Sequence, residues 1–107
     1  DFILPTATET TQNTLPDVPA VTIIEPQNYA KLGRREIRIS SRVLAKNTLD
    51  EILLTWNGTT VLTFDPNPDQ LYSVYFVPGT WNERNEITVQ ARDVAGNIGK
   101  TTITVFP

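Results

Sequence analysis

Asn85-Glu86-Ile87-Thr88-Val89-Gln90-Ala91-Arg92-Asp93-Val94-Ala95-Gly96-Asn97, followed shortly by Thr101-Thr102-Ile103-Thr104-Val105, is the stretch that decides the fold of this chain. Ile87, Val89 and Ala91 fall on one face of an extended segment, and Thr88, Gln90 and Arg92 on the other. A period of two marks a half-buried β-strand. Asp93 to Asn97 then carries turn chemistry, since Asp and Asn side chains bond their own backbone and Gly accepts a positive φ. The stretch reads as a strand, a tight turn and a returning strand that buries Ile103 and Val105.

The same alternation extends back to Val21. Val21-Thr22-Ile23-Ile24-Glu25 is a short strand stopped by Pro26-Gln27-Asn28, and Tyr29 to Gly33 crosses over. Glu36 to Val43 places Ile37, Ile39, Ser41 and Val43 on one face. Glu51 to Trp56 and Thr60 to Phe64 flank Asn57-Gly58, the dipeptide that a type I′ hairpin turn demands. Asp65-Pro66-Asn67-Pro68-Asp69 is a rigid polar loop, and Gln70 to Val77 is a strand with Tyr72, Val74 and Phe76 inward. No segment keeps a helical apolar period.

About seven short strands at roughly 8–12-residue spacing predict an all-β, immunoglobulin-like antiparallel β-sandwich over residues 21–107. By analogy with sandwiches of this kind, the strands starting near 21, 36 and 70 are expected in one sheet, and those near 51, 60, 85 and 100 in the other. The expected interior is Ile23, Ile37, Ile39, Val43, Ile52, Leu54, Trp56, Tyr72, Val74, Phe76, Ile87, Val89, Ala91, Ile103 and Val105. Residues 1–20 differ in composition. Five threonines and three prolines, with no Gly or Lys, read as an extended linker. Phe2, Ile3 and Leu4 are its apolar exception. The chain opens at Asp1 with no signal-like segment, as a mature or excised fragment does.

Composition excludes several chemistries. The 107 residues contain no Cys, His or Met. Disulfides, thiolate nucleophiles, Ser-His-Asp triads and His-ligated metals are therefore closed to this chain. The net charge of −3 argues against a nucleic-acid partner, which needs a basic stripe. Lys31, Arg34, Arg35 and Arg38 form the sole basic cluster and read as a solvated face. No run approaches the roughly 18 apolar residues of a membrane-spanning helix. The expected protein is not an enzyme, takes no cofactor and does not insert into a membrane.

Val21-Thr22-Ile23-Ile24-Glu25-Pro26-Gln27-Asn28, then Ile37-Arg38-Ile39, Ile52-Leu53-Leu54-Thr55-Trp56-Asn57-Gly58, Tyr72-Ser73-Val74-Tyr75-Phe76 and the closing stretch occur in the order seen in bacterial immunoglobulin-like (Big-type) repeats, which this chain resembles over about residues 20–107. Two positions depart from that pattern. Tyr29-Ala30 stands where Gly or Asp-Gly is usual, and Trp81-Asn82-Glu83-Arg84 replaces a Gly-rich turn. The resemblance implies a spacer or interaction module of a larger extracellular or cell-envelope protein, with adjacent domains of the same polypeptide as partners. The alternative is a binding module for a glycan or a partner protein, an accessory domain of a cell-wall or polysaccharide-active enzyme.

Candidate contact residues for that alternative are Trp81, Tyr29, Phe2, Ile3 and Leu4. Trp81 suits either sugar stacking or anchoring of its own loop, because an aromatic body with a polar edge serves both. Trp56 alternates with Ile52 and Leu54 and reads as core. An N-terminal segment reaching a neighbour's sheet edge is a further route to association. Asp65, Asn67, Asp69, Asp93 and Asn97 are oxygen-bearing loop residues, but they lack the spacing and bidentate Glu of an EF-hand and read as turn formers. Lys46 and Lys100 lie in a loop and beside a turn, poor settings for a Lys–Asn cross-link.

Overall fold

Eight strands follow one another along residues 15–107, the part of the chain that the computed structural model describes: β1 (Ala20–Glu25), β2 (Ala30–Lys31), β3 (Ile37–Leu44), β4 (Leu49–Trp56), β5 (Thr59–Phe64), β6 (Leu71–Phe76), β7 (Asn85–Asp93) and β8 (Ile98–Phe106). They form two sheets, ordered β1-β3-β6 and β2-β8-β7-β4-β5. The assignment of strands to sheets agrees with the one expected by analogy, and the architecture is an immunoglobulin-like β-sandwich. Where about seven strands were expected, the eighth is β2, a two-residue element pairing parallel to β8 through Ala30↔Val105 and Lys31↔Phe106. Two residues carry no periodicity, so the sequence shows this segment only as a crossover.

The decisive hairpin is β7–β8, with eight consecutive pairs from Asn85↔Val105 to Arg92↔Ile98. The returning strand starts at Ile98, earlier than its apolar pattern indicates, because Gly99 and Lys100 continue the ladder without marking a face. Ile87, Val89, Ala91, Ile103 and Val105 all point inward and are buried. Opposite them, Asn57 (φ 49°) and Gly58 (φ 86°) supply the two positive φ values of the β4–β5 turn.

The core follows from the two facing alternations. Twelve of the expected inward residues make the buried cluster, and Ile23, Val74 and Phe76 pack on it half-buried. Trp56 is a core residue, with its ring 5.6 Å from Phe76. Each fully buried aliphatic side chain here contributes about 1.5–3 kcal/mol of transfer free energy. Val21, Leu32, Leu49, Leu62, Phe64 and Trp81 also cover the cluster, and Ala45 is buried. Most of these lie at or near strand ends or in loops, where period-two reasoning has little purchase; Leu62 lies within β5, just past the register shift that leaves Val61 unpaired with β4.

From Leu15 to Pro19 the chain lies against the sandwich. The Lys46 amide donates to the Pro16 carbonyl at 3.1 Å, and Lys46 Nζ sits 3.5 Å from Asp17. Pro19 is buried, and its carbonyl lies over Gly99. Thr101 donates its hydroxyl to the Val21 carbonyl, tying β1 to the second sheet. Phe2, Ile3 and Leu4 lie outside the described residues.

Candidate interaction surfaces

The register places functional candidates at two opposite poles. One pole gathers the β7–β8 turn, the β3–β4 loop and the incoming residues 15–19, because Val94 N donates to Thr48 O and Lys46 N to Pro16 O. The other gathers the β4–β5 turn, the β6–β7 loop, Tyr29 and the end of β8, because Asn85 faces Val105 and Tyr29 N donates to Thr104 O. Nine-residue β8 runs between them, about 30 Å at roughly 3.4 Å per residue.

At the first pole, Asp93 organises the turn. It is 1% exposed, and every donor around its carboxylate comes from the turn or the facing loop. Oδ1 accepts from Ala95 N at 3.0 Å and Asn97 N at 2.8 Å. Oδ2 accepts from Asn97 Nδ2 at 3.0 Å and Asn47 Nδ2 at 3.2 Å. Burial pushes this carboxyl's pKa up, but the side-chain and backbone hydrogen bonds of Asn97, with those of Asn47 and Ala95, outweigh it and hold the pKa below the ordinary value. Next to it, Arg92 grips Asp50 through Nε at 3.1 Å and Nη2 at 2.7 Å. That hydrogen bond, with the charges of Asp50 and Glu51, raises the guanidinium pKa further.

The β5–β6 loop is built the same way. Asn67 Oδ1 accepts from Gln70 N at 2.8 Å, Asn67 Nδ2 donates to Leu71 O, and Asn67 N donates to the Tyr72 hydroxyl. Asn67 thus spends its polar atoms on holding Gln70 at φ 60°. Between this loop and Ala45–Leu49 lies an open hollow of about 370 Å³. Among the described residues no three His, Cys, Asp or Glu side chains converge as a metal site would require.

At the second pole, Trp81 stands edge-on to Trp56 with centroids 5.1 Å apart and planes at 80°. Trp56 Nε1 donates to Thr80 O at 3.1 Å, which fastens the same loop. A second open hollow of about 370 Å³ beside them is lined by Trp56, Phe76, Val61, Thr59, Asn57 and Thr80, among others. Tyr29 is 63% exposed, stacked at 6.5 Å and 19° on Phe106. Trp81 and Tyr29 therefore share a pole.

The structure explains both departures from the repeat pattern. Tyr29 adopts φ 68°, the left-handed conformation for which Gly is usual, and is held there by its N–H to Thr104 O and by Asn28 Oδ1, which accepts from Thr104 N at 2.8 Å. At the other departure, Asn85 closes the turn. Its Oδ1 accepts from Asn82 N at 2.9 Å and from Asn57 Nδ2 at 3.0 Å, and its Nδ2 donates to Asn82 O. Asn57 Oδ1 in turn accepts from Glu86 N at 2.7 Å. Asn85 is fully buried and was missed in the sequence because it begins a strand, where a polar residue normally faces water. The one available signal is its spacing of three from Asn82. The basic cluster is solvated: Lys31, Arg34, Arg35 and Arg38 are exposed, and Arg38 pairs with Glu25 at 3.2 Å.

No protein-family model matches this chain, and no curated protein sequence does. Among solved structures it resembles the fibronectin(III)-like modules of CbhA from Clostridium thermocellum, with TM-score 0.60, 18% identity, and coverage of 85% of this chain and 47% of that one. An engineered protein matches with TM-score 0.60 and 23% identity over 82% of this chain and 20% of its own. The endo-β-1,4-mannanase of Cellulomonas fimi, as a double mutant, matches with TM-score 0.56 and 20% identity over 81% of this chain and 18% of its own. The chain thus spans between about a fifth and about a half of these structures, and what it shares with them is the immunoglobulin- or fibronectin-like fold.

Proposed function

We propose that this chain is a non-catalytic spacer and interaction module, an immunoglobulin-like repeat of Big type within a larger bacterial protein that works outside the cell or in the cell envelope. The observation that carries this reading is the placement of the two ends of the described residues, 15 and 107. The described residues begin at the Asp93 pole, where Pro16 meets Lys46, and finish at the Trp81 pole, where Val105 faces Asn85. Modules whose entry and exit lie at opposite ends of a rigid sandwich add length when strung in series. The polar loop residues support it further, since Asp93, Asn67, Asn57 and Asn85 are committed to loop geometry.

The second reading is a glycan-binding accessory domain. It is favoured by Trp81 and Tyr29 sharing one pole and by the kinship in fold with part of a mannanase structure. One experiment separates the two. The chain has no cysteine, so Leu15→Cys and Pro107→Cys accept a fluorophore pair whose distance reports the span between poles. A spacer gives at least about 30 Å and stays in solution when mixed with insoluble cellulose, mannan, chitin or peptidoglycan. Retention on one of these that Trp81→Ala abolishes replaces the spacer reading with the glycan reading. Labels close together refute the spacer outright.

A further inference from the structure

The four sheet edges are not alike. The β1 edge is broken by a register shift between Ile23 and Glu25, and the β5 edge by one that leaves Val61 out of the ladder to β4. The β2 edge is two residues long. Such bulges and short strands are how proteins blunt an edge against pairing. The β6 edge has none of them. Leu71 to Phe76 makes six consecutive pairs with β3 and, among the described residues, nothing on its other side. Leu71-Tyr72-Ser73-Val74-Tyr75-Phe76-Val77 carries no charge and no proline. Leu71, Tyr75 and Val77 are 42%, 64% and 67% exposed.

The hydrogen-bond phase of this edge is fixed. Val43 N donates to Gln70 O, so even-numbered residues of the strand direct their backbone toward β3. Leu71, Ser73 and Tyr75 then turn their N–H and C=O groups outward, toward the unpaired side. We propose that β6 pairs antiparallel with β6 of a second copy of this chain, joining two three-stranded sheets into one of six strands. The strand is complementary to itself. With Ser73 opposite Ser73 of the other copy, Leu71 meets Tyr75 and Tyr75 meets Leu71, which places an apolar residue against an aromatic one at both ends of the seam. All three pairs are of the kind that exchange two backbone hydrogen bonds.

Charge does not oppose the pairing. Arg42 and Arg38 stand on β3 opposite Leu71 and Tyr75. In the joined sheet the arginines of the two copies are separated by three strand spacings, about 14 Å, beyond the about 8 Å screening length at physiological salt. Arg38 is moreover paired with Glu25. This association is independent of the module's place in a larger protein, and the spacer reading stands whether or not it occurs.

The test is the mass of the full chain by sedimentation equilibrium from about 10 μM to about 1 mM, the range of small interfaces. The expected result is a rise from 12.0 kDa toward twice that value. Tyr75→Lys puts a charge on the seam, and Ser73→Pro removes an outward N–H that β3 does not use. Both are expected to stay folded at the monomer mass, Ser73→Pro melting slightly lower because it also loses the hydrogen bond between the Ser73 and Ser40 hydroxyls. A wild-type chain that remains monomeric throughout overturns the proposal. So does association that survives Tyr75→Lys but disappears in Ile3→Lys, which would assign the contact to the N-terminal segment. Should a variant fail to fold, amide exchange of the wild type decides: protection of Ser73 and Tyr75 must increase with concentration, and protection that is constant refutes the seam.

Discussion

Gly99→Ala is the sharpest test of how the incoming segment is held. A Cβ at this position would lie 1.8 Å from the Pro19 carbonyl oxygen and 2.9 Å from its carbon. To bring even the oxygen to 3.0 Å, the backbone of Pro19 must retreat by at least about 1.2 Å, and Pro19 is buried with the Pro16 carbonyl bonded to Lys46 just upstream. Overpacking of this kind costs about 1–3 kcal/mol. The loss of glycine's freedom in the unfolded chain returns about 0.4–1 kcal/mol, so a net loss of about 1–2 kcal/mol is expected. For a domain of this size that lowers Tm by about 4–15 °C. Calorimetry measures the shift, and hydrogen exchange locates it: the Lys46 amide must lose protection first. Gly96→Ala is the internal control, because its Cβ meets nothing within 4 Å and its only penalty is the φ of 91°. A Gly99→Ala protein that melts at or above the wild-type temperature, with Lys46 still protected, refutes the close packing of residues 15–19.

Asp93 has a folded pKa below its unfolded value, so its contribution is fully present above the unfolded pKa of about 3.9 and is lost as pH falls through the folded value. Urea titrations at pH 7, 5, 4 and 3 are expected to show the loss beginning near pH 4, and Asp93→Asn to lower stability at pH 7 and flatten that acid limb. Asn85→Leu strips partners from Asn82 N, Asn82 O and Asn57 Nδ2 and is expected to cost about 2–3 kcal/mol by chemical denaturation. Tyr29→Val forces a β-branched residue into φ 68° and is expected to lower stability by about 1–2 kcal/mol, whereas Tyr29→Gly stays within about 1 kcal/mol of wild type. Millimolar calcium is expected to leave Tm unchanged, because both Asp93 oxygens already accept two hydrogen bonds each.

Alternation of apolar and polar residues by itself determined the main strands and most of the interior, from Ile37 and Ile39 to Ile103 and Val105, while their grouping into two sheets came by analogy with known sandwiches. Strands and their inward faces are local properties: a residue's face in a strand depends only on its parity, and a hairpin turn such as Asn57-Gly58 depends only on its own φ values. The turn chemistry of Asp93 to Asn97 was legible for the same reason. The closure of the Trp81–Arg84 turn by Asn85, the left-handed Tyr29, the parallel pairing of Ala30–Lys31 and the approach of Pro19 to Gly99 were decided only by the tertiary structure. Each depends on a group distant in sequence arriving at bonding or contact distance: Asn57 for Asn85, Thr104 for Tyr29, β8 for β2, and residue 19 for residue 99. Which sheet edge is left regular and unpaired is likewise a property of the assembled ladder, because a bulge or a partner exists only where two strands meet.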